Sequence, residues 1–487
     1  MATDLDHVRS LIEKHWHRQS LPNPYRDELG ELDWPKIIGT PSGRGVLFDQ
    51  GMLDAASDLA ENIAAKNNDH KRTFRDADWK NLIHIKVAYA LDRSNQNGDL
   101  EETAKQVLND VNTSLEQHRM GLGQFEFAFG CTLFSDLRPA PFSIGPVTFE
   151  TKEDWLARHL AANAIQNATA AYVQECWEST VPAGELKGLE VDLADAILAL
   201  TRDAPFVCSV VTTGISYEFG QQNAKTTARL ALTAVALIWM RSSFALADMN
   251  LVEDRVERNL ASLSFRDGNP ASRGRRWSCG NGASLSSAKW DQLRQDFADE
   301  WAIIAEILHL IVDPTRQTQR PKTMHALTHA LLWFHQGCRE IEPVIAVTNF
   351  ASALDCLVEG EGRTGKKEKN NKTKPVYGII HMIEARLGYK ADSRPWWTLG
   401  KTVTEVVDEI CDHARNAVIH GLWDRGIRGP ASDPFRDWST VRTRAEQLTR
   451  LLLLACMDWA IQNPKIDCPL HWRTSTPESC KSTPCGG

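Results

Sequence analysis

No stretch of this sequence is suited to cross a bilayer as a helix. The longest apolar run, Leu230 to Met240, falls short of the roughly 20 residues required and is closed by Arg241. The opening MATDLDHVRS has neither the basic n-region nor the apolar h-region of a secretory signal, so the expected location is cytoplasmic, with no membrane partner. The eleven cysteines are odd in number, lack regular spacing and often sit inside apolar runs, which points to reduced core residues rather than a disulfide framework. Excess positive charge is also missing. A net charge of −8 excludes a protein that coats nucleic acid by bulk electrostatics, so any RNA contact must be local. No Gly-x-Ser-x-Gly elbow or His-Glu-x-x-His helix is present to indicate another class of hydrolase.

What is there suits a folded, multidomain chain. Hydrophobic residues at 42% and charged residues at 24% match ordinary globular proteins, and 487 residues are too many for one core. The expected class is α+β multidomain and mainly α, with a polar tail over 464–487. Residues 1–123 read as a helical N-terminal region, with helical patterns at Asp54 to Ala65 and Leu100 to His118. Residues 124–315 read as a mixed α/β regulatory or sensor domain. FEFAFGCTLF, FSIGPVTFET and APFVCSVVTTGIS are its strands, and Trp155 to Trp177 and Ala224 to Asn250 its helices. The Gly-, Ser- and Arg-rich stretch Arg266 to Ser287 is expected to be a surface loop, whose Arg273, Arg275, Arg276 and Trp277 have the chemistry to grip a phosphate backbone and stack a base. A solvated loop without a ligand is the plainer alternative.

After the polar, Pro-flanked Asp313 to Thr323, an all-α domain is expected over 322–463. Its helices are His325 to Cys338, Ile341 to Leu357, Val376 to Leu387, about Thr402 to His420, and Val441 to Ile461. The second carries a stripe of Ile341, Val344, Ile345, Phe350, Ala353, Leu354 and Leu357. Between the second and third lies Glu359 to Pro375, a Lys-rich insertion without apolar residues. Within it, Gly360 to Lys367 nearly spells a phosphate-binding loop, but Lys367 stands where the Ser or Thr hydroxyl is needed, so no nucleotide chemistry is assigned. In the tail, Cys468 and His471 make an acceptable zinc half-site. Cys480 and Cys485 complete it only loosely, and no metal or cofactor is assigned.

The fourth helix ends in Arg415-Asn-Ala-Val-Ile-His420-Gly421. Arg9 with His15 and Arg320 with His325 show similar spacing, but only Arg415 and His420 lie inside a run of helices, with a polar residue after the Arg and Gly after the His. ALTHALLWFHQGCRE, then VTNFASALDCLVEG with its acidic Asp355, the Lys-rich insertion, and DHARNAVIHG before a closing apolar helix together resemble the HEPN superfamily, in its Apea-like branch, over about residues 322–463. Asp355 stands where many relatives carry Glu.

The resemblance implies an all-α HEPN bundle, a homodimer through it, and metal-independent endoribonuclease action on an RNA substrate. It also suggests antiviral defence, with activity gated by a phage-derived trigger or protein regulator. Its catalytic residues would be Arg415 and His420, with Asn416 positioning the phosphate or the His and Asp355 orienting Arg415. Lys366, Lys367 and Lys369 of the insertion, with Arg275 and Arg276, are the candidate RNA-binding cations. Geometry bears on the dimer independently. Five helical steps rotate a side chain by about 140°, so Arg415 and His420 do not share a face of a straight helix, whereas two copies across a two-fold axis converge two Arg and two His on one groove. From the residues alone, two alternatives stay open. Arg415 pairs with Asp408 or Asp412 while His420 caps the helix, or the bundle dimerises and binds without turnover.

Overall fold

The structure is a computed structural model that describes residues 2–21, 36–66, 69–94, 98–178, 186–239, 242–254, 258–266, 269–278, 284–358, 375–411 and 437–473. It is mainly helical, with three sheets among the described residues, and divides into two compact units. Among the described residues, no helix is long and apolar enough to cross a membrane.

The first unit comprises residues 1–126, 211–224 and 312–315. It contains helix α1 (Asp4–Ser20), strands β1 (Lys36–Gly39) and β2 (Gly45–Phe48), then α2 (Gln50–Lys66), α3 (Asp69–Thr73), α4 (Asp76–Arg93) and α5 (Leu100–Met120). A capping box starts α1: the Thr3 hydroxyl accepts from the Asp6 backbone while the Asp6 carboxylate accepts from the Thr3 backbone. Val8, Leu11, Ile12 and His15 then recur at helical spacing and are buried against α2 and α5. The β1–β2 hairpin is an addition to the helical region expected here. The β-branched Ile37, Ile38 and Val46 favour extended backbone, and Gly43, at φ +80°, supplies the left-handed residue the connection needs.

The second unit holds residues 127–210, 225–311 and 316–487, so the middle region and the C-terminal helices belong to one compact body. Strands β3 (Gln124–Thr132), β4 (Phe142–Ile144), β5 (Val147–Thr151), β6 (Phe206–Thr213) and β7 (Asn250–Leu251) form a sheet in the order β4-β5-β6-β3-β7. Around its sequence run α6 (Lys152–Ala161), α7 (Asn167–Trp177), α8 (Leu189–Thr201), α9 (Tyr217–Leu237) and α10 (Ser242–Asp248). The single helix expected from Trp155 to Trp177 is two helices, because Asn163 takes a left-handed conformation at φ +56° and ends the first. The run from Ala224 to Asn250 likewise divides into α9, whose Leu230 to Leu237 segment is fully buried, and α10.

The expected loop from residue 266 is a further correction. Strands β8 (Arg258–Arg266) and β9 (Asn269–Ser278) pair antiparallel as a separate two-stranded ribbon. The sequence held the signal, since Asp267-Gly268 separates the paired Arg266 and Asn269, and Asp-Gly is a preferred dipeptide of two-residue hairpin connections.

Helices α11 (Ser287–Asp296) and α12 (Ala298–Val312) lead to α13 (Pro321–Arg339), α14 (Pro343–Leu357), α15 (Pro375–Leu387), α16 (Val403–Asp408) and α17 (Trp438–Gln462). α13 and α14 pack as a helical hairpin, and α13, α14, α15 and α16 all contact α17. The apolar stripe of α14 lies in a different phase from the one expected at its start. Ala346, Val347, Phe350, Leu354 and Leu357 are fully buried, whereas Ile341 precedes the helix and Ile345 is exposed. The chain beyond residue 464 is also more than a tail: Pro469–Arg473 forms a 3-10 turn against α15 and α13, with Trp472 fully buried.

Candidate functional site

α17 is the spine on which this region is assembled. Asp437 caps it by accepting from the Thr440 backbone, and Val441, Ala445, Leu448, Leu452, Cys456 and Ala460 keep one face buried along its length. α14 packs on this spine and carries Asp355 in its last turn. Asp355 is half-buried, with Oδ1 closed off from solvent.

α16 leads toward the Arg-His motif. A capping box of Thr402 and Glu405 starts it, and Val403, Val406, Val407 and Ile410 are fully buried. At Glu409 to Cys411 the backbone changes from α to π hydrogen bonding. Such turns occur disproportionately at functional sites, because they rephase every side chain that follows. The described helix ends there, and Arg415, Asn416 and His420 lie outside the described residues, as do Lys366, Lys367 and Lys369. Of the remaining candidates, Asp355 sits on α14, and Arg275 and Arg276 sit on β9.

At the π turn lies a residue that sequence reasoning missed. Glu409 is buried, with Oε1 accepting from Lys401 Nζ at 2.8 Å and Oε2 from Arg444 Nη1 of α17 at 2.9 Å. Arg444 is buried as well and donates through Nε to the Thr398 carbonyl at 2.9 Å. A buried carboxylate held by two cations fixes the point at which the motif-bearing segment begins, three residues before Asp412. The signal was present in the pattern: Glu409 follows Val406 by three positions and Arg444 follows Val441 by three, so each charge falls on an apolar stripe.

No family model matches this chain, and no curated protein or solved structure matches it.

The two other Arg-His spacings are committed elsewhere. Buried Arg320 donates to Glu306 Oε2 at 2.7 Å and to the Ala460 carbonyl, tying the start of α13 to the end of α17. Arg9 bonds Glu101 at 2.6 Å and Asp6 at 2.9 Å, while His15 is buried in α1, where desolvation lowers its pKa. Among the described residues, no group of three His, Cys, Asp or Glu is placed to hold a metal ion. Cys480 and Cys485 lie outside them.

Proposed function

We propose that residues 322–463 form an Apea-like HEPN domain and that the protein is a gated, metal-independent endoribonuclease acting as a homodimer in antiviral defence. What supports the reading is the RNAVIH sequence with its flanking segments, which resemble the Apea-like HEPN branch, together with the helical character of α13 to α16 before it and α17 after it.

In this reading the ribose 2′-hydroxyl attacks the adjacent phosphorus. A bond forms from the 2′-oxygen to phosphorus, the bond from phosphorus to the 5′-oxygen breaks, and the products are a 2′,3′-cyclic phosphate and a 5′-hydroxyl. His420, with an ordinary pKa near about 6.5, takes the 2′ proton, and a protonated His of the second copy gives one to the leaving oxygen. Arg415 stays cationic and offers a planar fork of donors to the charge that builds on the phosphate oxygens. Asn416 positions the phosphate, and Asp355 orients Arg415. DNA lacks the nucleophile and is left intact.

The test is cleavage of labelled total RNA in EDTA, with and without an infected-cell extract as trigger, by the unaltered protein and by Arg415→Ala and His420→Ala at matched oligomeric state. Cutting that ends in cyclic phosphate and disappears in both variants is expected. Indistinguishable behaviour of all three proteins would overturn the nuclease assignment and leave a module that dimerises and binds without turnover.

A further inference from the structure

The β8–β9 ribbon sorts its arginines by register. Leu263 stands opposite Arg273, Ala261 opposite Arg275 and Asn259 opposite Trp277, while Leu260 stands opposite Arg276 and Arg258 opposite Ser278. Successive strand positions belong to opposite faces, and directly opposed residues share one. Positions 273, 275 and 277 therefore share one face of the ribbon, and positions 258 and 276 share the other. The register shift lies between Ser264 and Phe265, outside these pairs, so it leaves the sorting intact.

Charge singles out the same element. The two strands carry five arginines, Arg258, Arg266, Arg273, Arg275 and Arg276, and neither Asp nor Glu, in a chain whose net charge is −8. Alternate positions on a strand are about 6.5 Å apart, a repeat close to that of successive nucleotides in an extended single strand. By register, Trp277 stands two positions from Arg275 on the same face, and an indole offers a stacking surface that accepts any base and that a base inside a duplex cannot reach.

We propose that the face of this ribbon defined by Arg273, Arg275 and Trp277 binds single-stranded RNA, the two arginines taking successive phosphates and Trp277 stacking on a base. The choice of RNA as ligand rests on the function proposed above. The binding itself requires neither Arg415 nor His420, and Arg276, expected from sequence to act beside Arg275, belongs to the opposite face.

The test uses the full chain carrying His420→Ala, so that cleavage does not intrude, and follows the anisotropy of a fluorescein-labelled single-stranded RNA of mixed sequence across a salt series. Circular dichroism and gel filtration confirm equal folding of the variants. Arg273→Ala with Arg275→Ala should weaken binding at least about tenfold and reduce the slope of log affinity against log salt by roughly 1.4, the share of two phosphate contacts. Trp277→Ala should weaken it about five- to 150-fold with the slope unchanged. Arg258→Ala with Arg276→Ala should stay within about twofold of the parent. Equal losses from the two arginine pairs, or no loss from the first, would overturn the proposal. So would a polyglutamate peptide that binds this face and that RNA fails to displace. Binding that follows this pattern while the unaltered protein cuts nothing keeps the ribbon assignment and sinks the nuclease. Cutting by the unaltered protein, together with ribbon variants that bind as the parent does, keeps the nuclease and sinks the ribbon assignment.

Discussion

Arg444 and Glu409, 35 positions apart in sequence, meet through an Nη1 to Oε2 hydrogen bond of 2.9 Å in the interior of the C-terminal helices. Both side chains are almost wholly buried, so their charges are tolerated only together, and Lys401 donates to the other carboxylate oxygen of Glu409 at 2.8 Å. The bond ties the π turn that follows α16 to the spine helix α17.

Removing the carboxylate should therefore be costly. Glu409→Ala leaves Arg444 buried without its counter-ion and is expected to lower unfolding free energy by about 3–5 kcal/mol in a urea titration. Replacing both residues with methionine should cost distinctly less than the single change, because neither desolvated charge remains. Equal losses would show that packing, not charge, governs the site.

Acid should weaken the second unit through His335. Its Nδ1 lies 2.8 Å from the Thr233 hydroxyl, which also donates to the Arg229 carbonyl at 2.8 Å. Burial first, then Arg339 and Arg229, lower its pKa to about 3, against an opposing pull from Asp254. The unfolded chain takes up a proton near pH 6.5 and the folded one does not. The stability this group contributes is whole above that pH and is lost as pH falls toward 3, with a limiting slope of about 1.4 kcal/mol per pH unit. Denaturation midpoints followed across this window should be flatter for His335→Gln, and an unchanged profile would assign the acid sensitivity elsewhere.

Trp472 should behave as a core residue despite its place near the C-terminus. It is fully buried, donates from Nε1 to the Leu357 carbonyl at 2.7 Å and packs edge-on against Trp459. Trp472→Ala is expected to cost about 3–5 kcal/mol, read by chemical denaturation. A change below about 1 kcal/mol would mean that Pro469–Arg473 is not held against the helices in solution.

Gly337 of α13 lies against Phe350 of α14. A Cβ there would stand 2.7 Å from the Phe350 ring, itself fully buried and packed against Phe334. Gly337→Ala should destabilise by about 1–3 kcal/mol despite its better helix propensity. Thermal unfolding at or above the parent temperature would show that Phe350 can move aside.

Much of the C-terminal architecture was legible in the residues. The apolar spacing from Val403 to Ile410 and the stop at Gly388 each act within a turn or two of helix, so they appear in sequence as directly as in structure. The β8–β9 hairpin was legible too, through Asp267-Gly268, but the Gly, Ser and Arg around that pair resemble a loop unless the dipeptide is weighed first.

By itself, the sequence determined the helical periods, the caps and breaks, the absence of a membrane-spanning helix from the described residues, and the motif that carries the functional proposal. Only the tertiary structure decided that Glu409 pairs with Arg444, that Pro469–Arg473 docks on the helices, and that Arg275 and Arg276 belong to opposite faces of a ribbon. The physical reason is range. Periodicity and capping arise from neighbours three or four residues apart, whereas the partner of a buried charge, the site that accepts Trp472 and the register of two strands depend on which distant elements are brought together as the core closes.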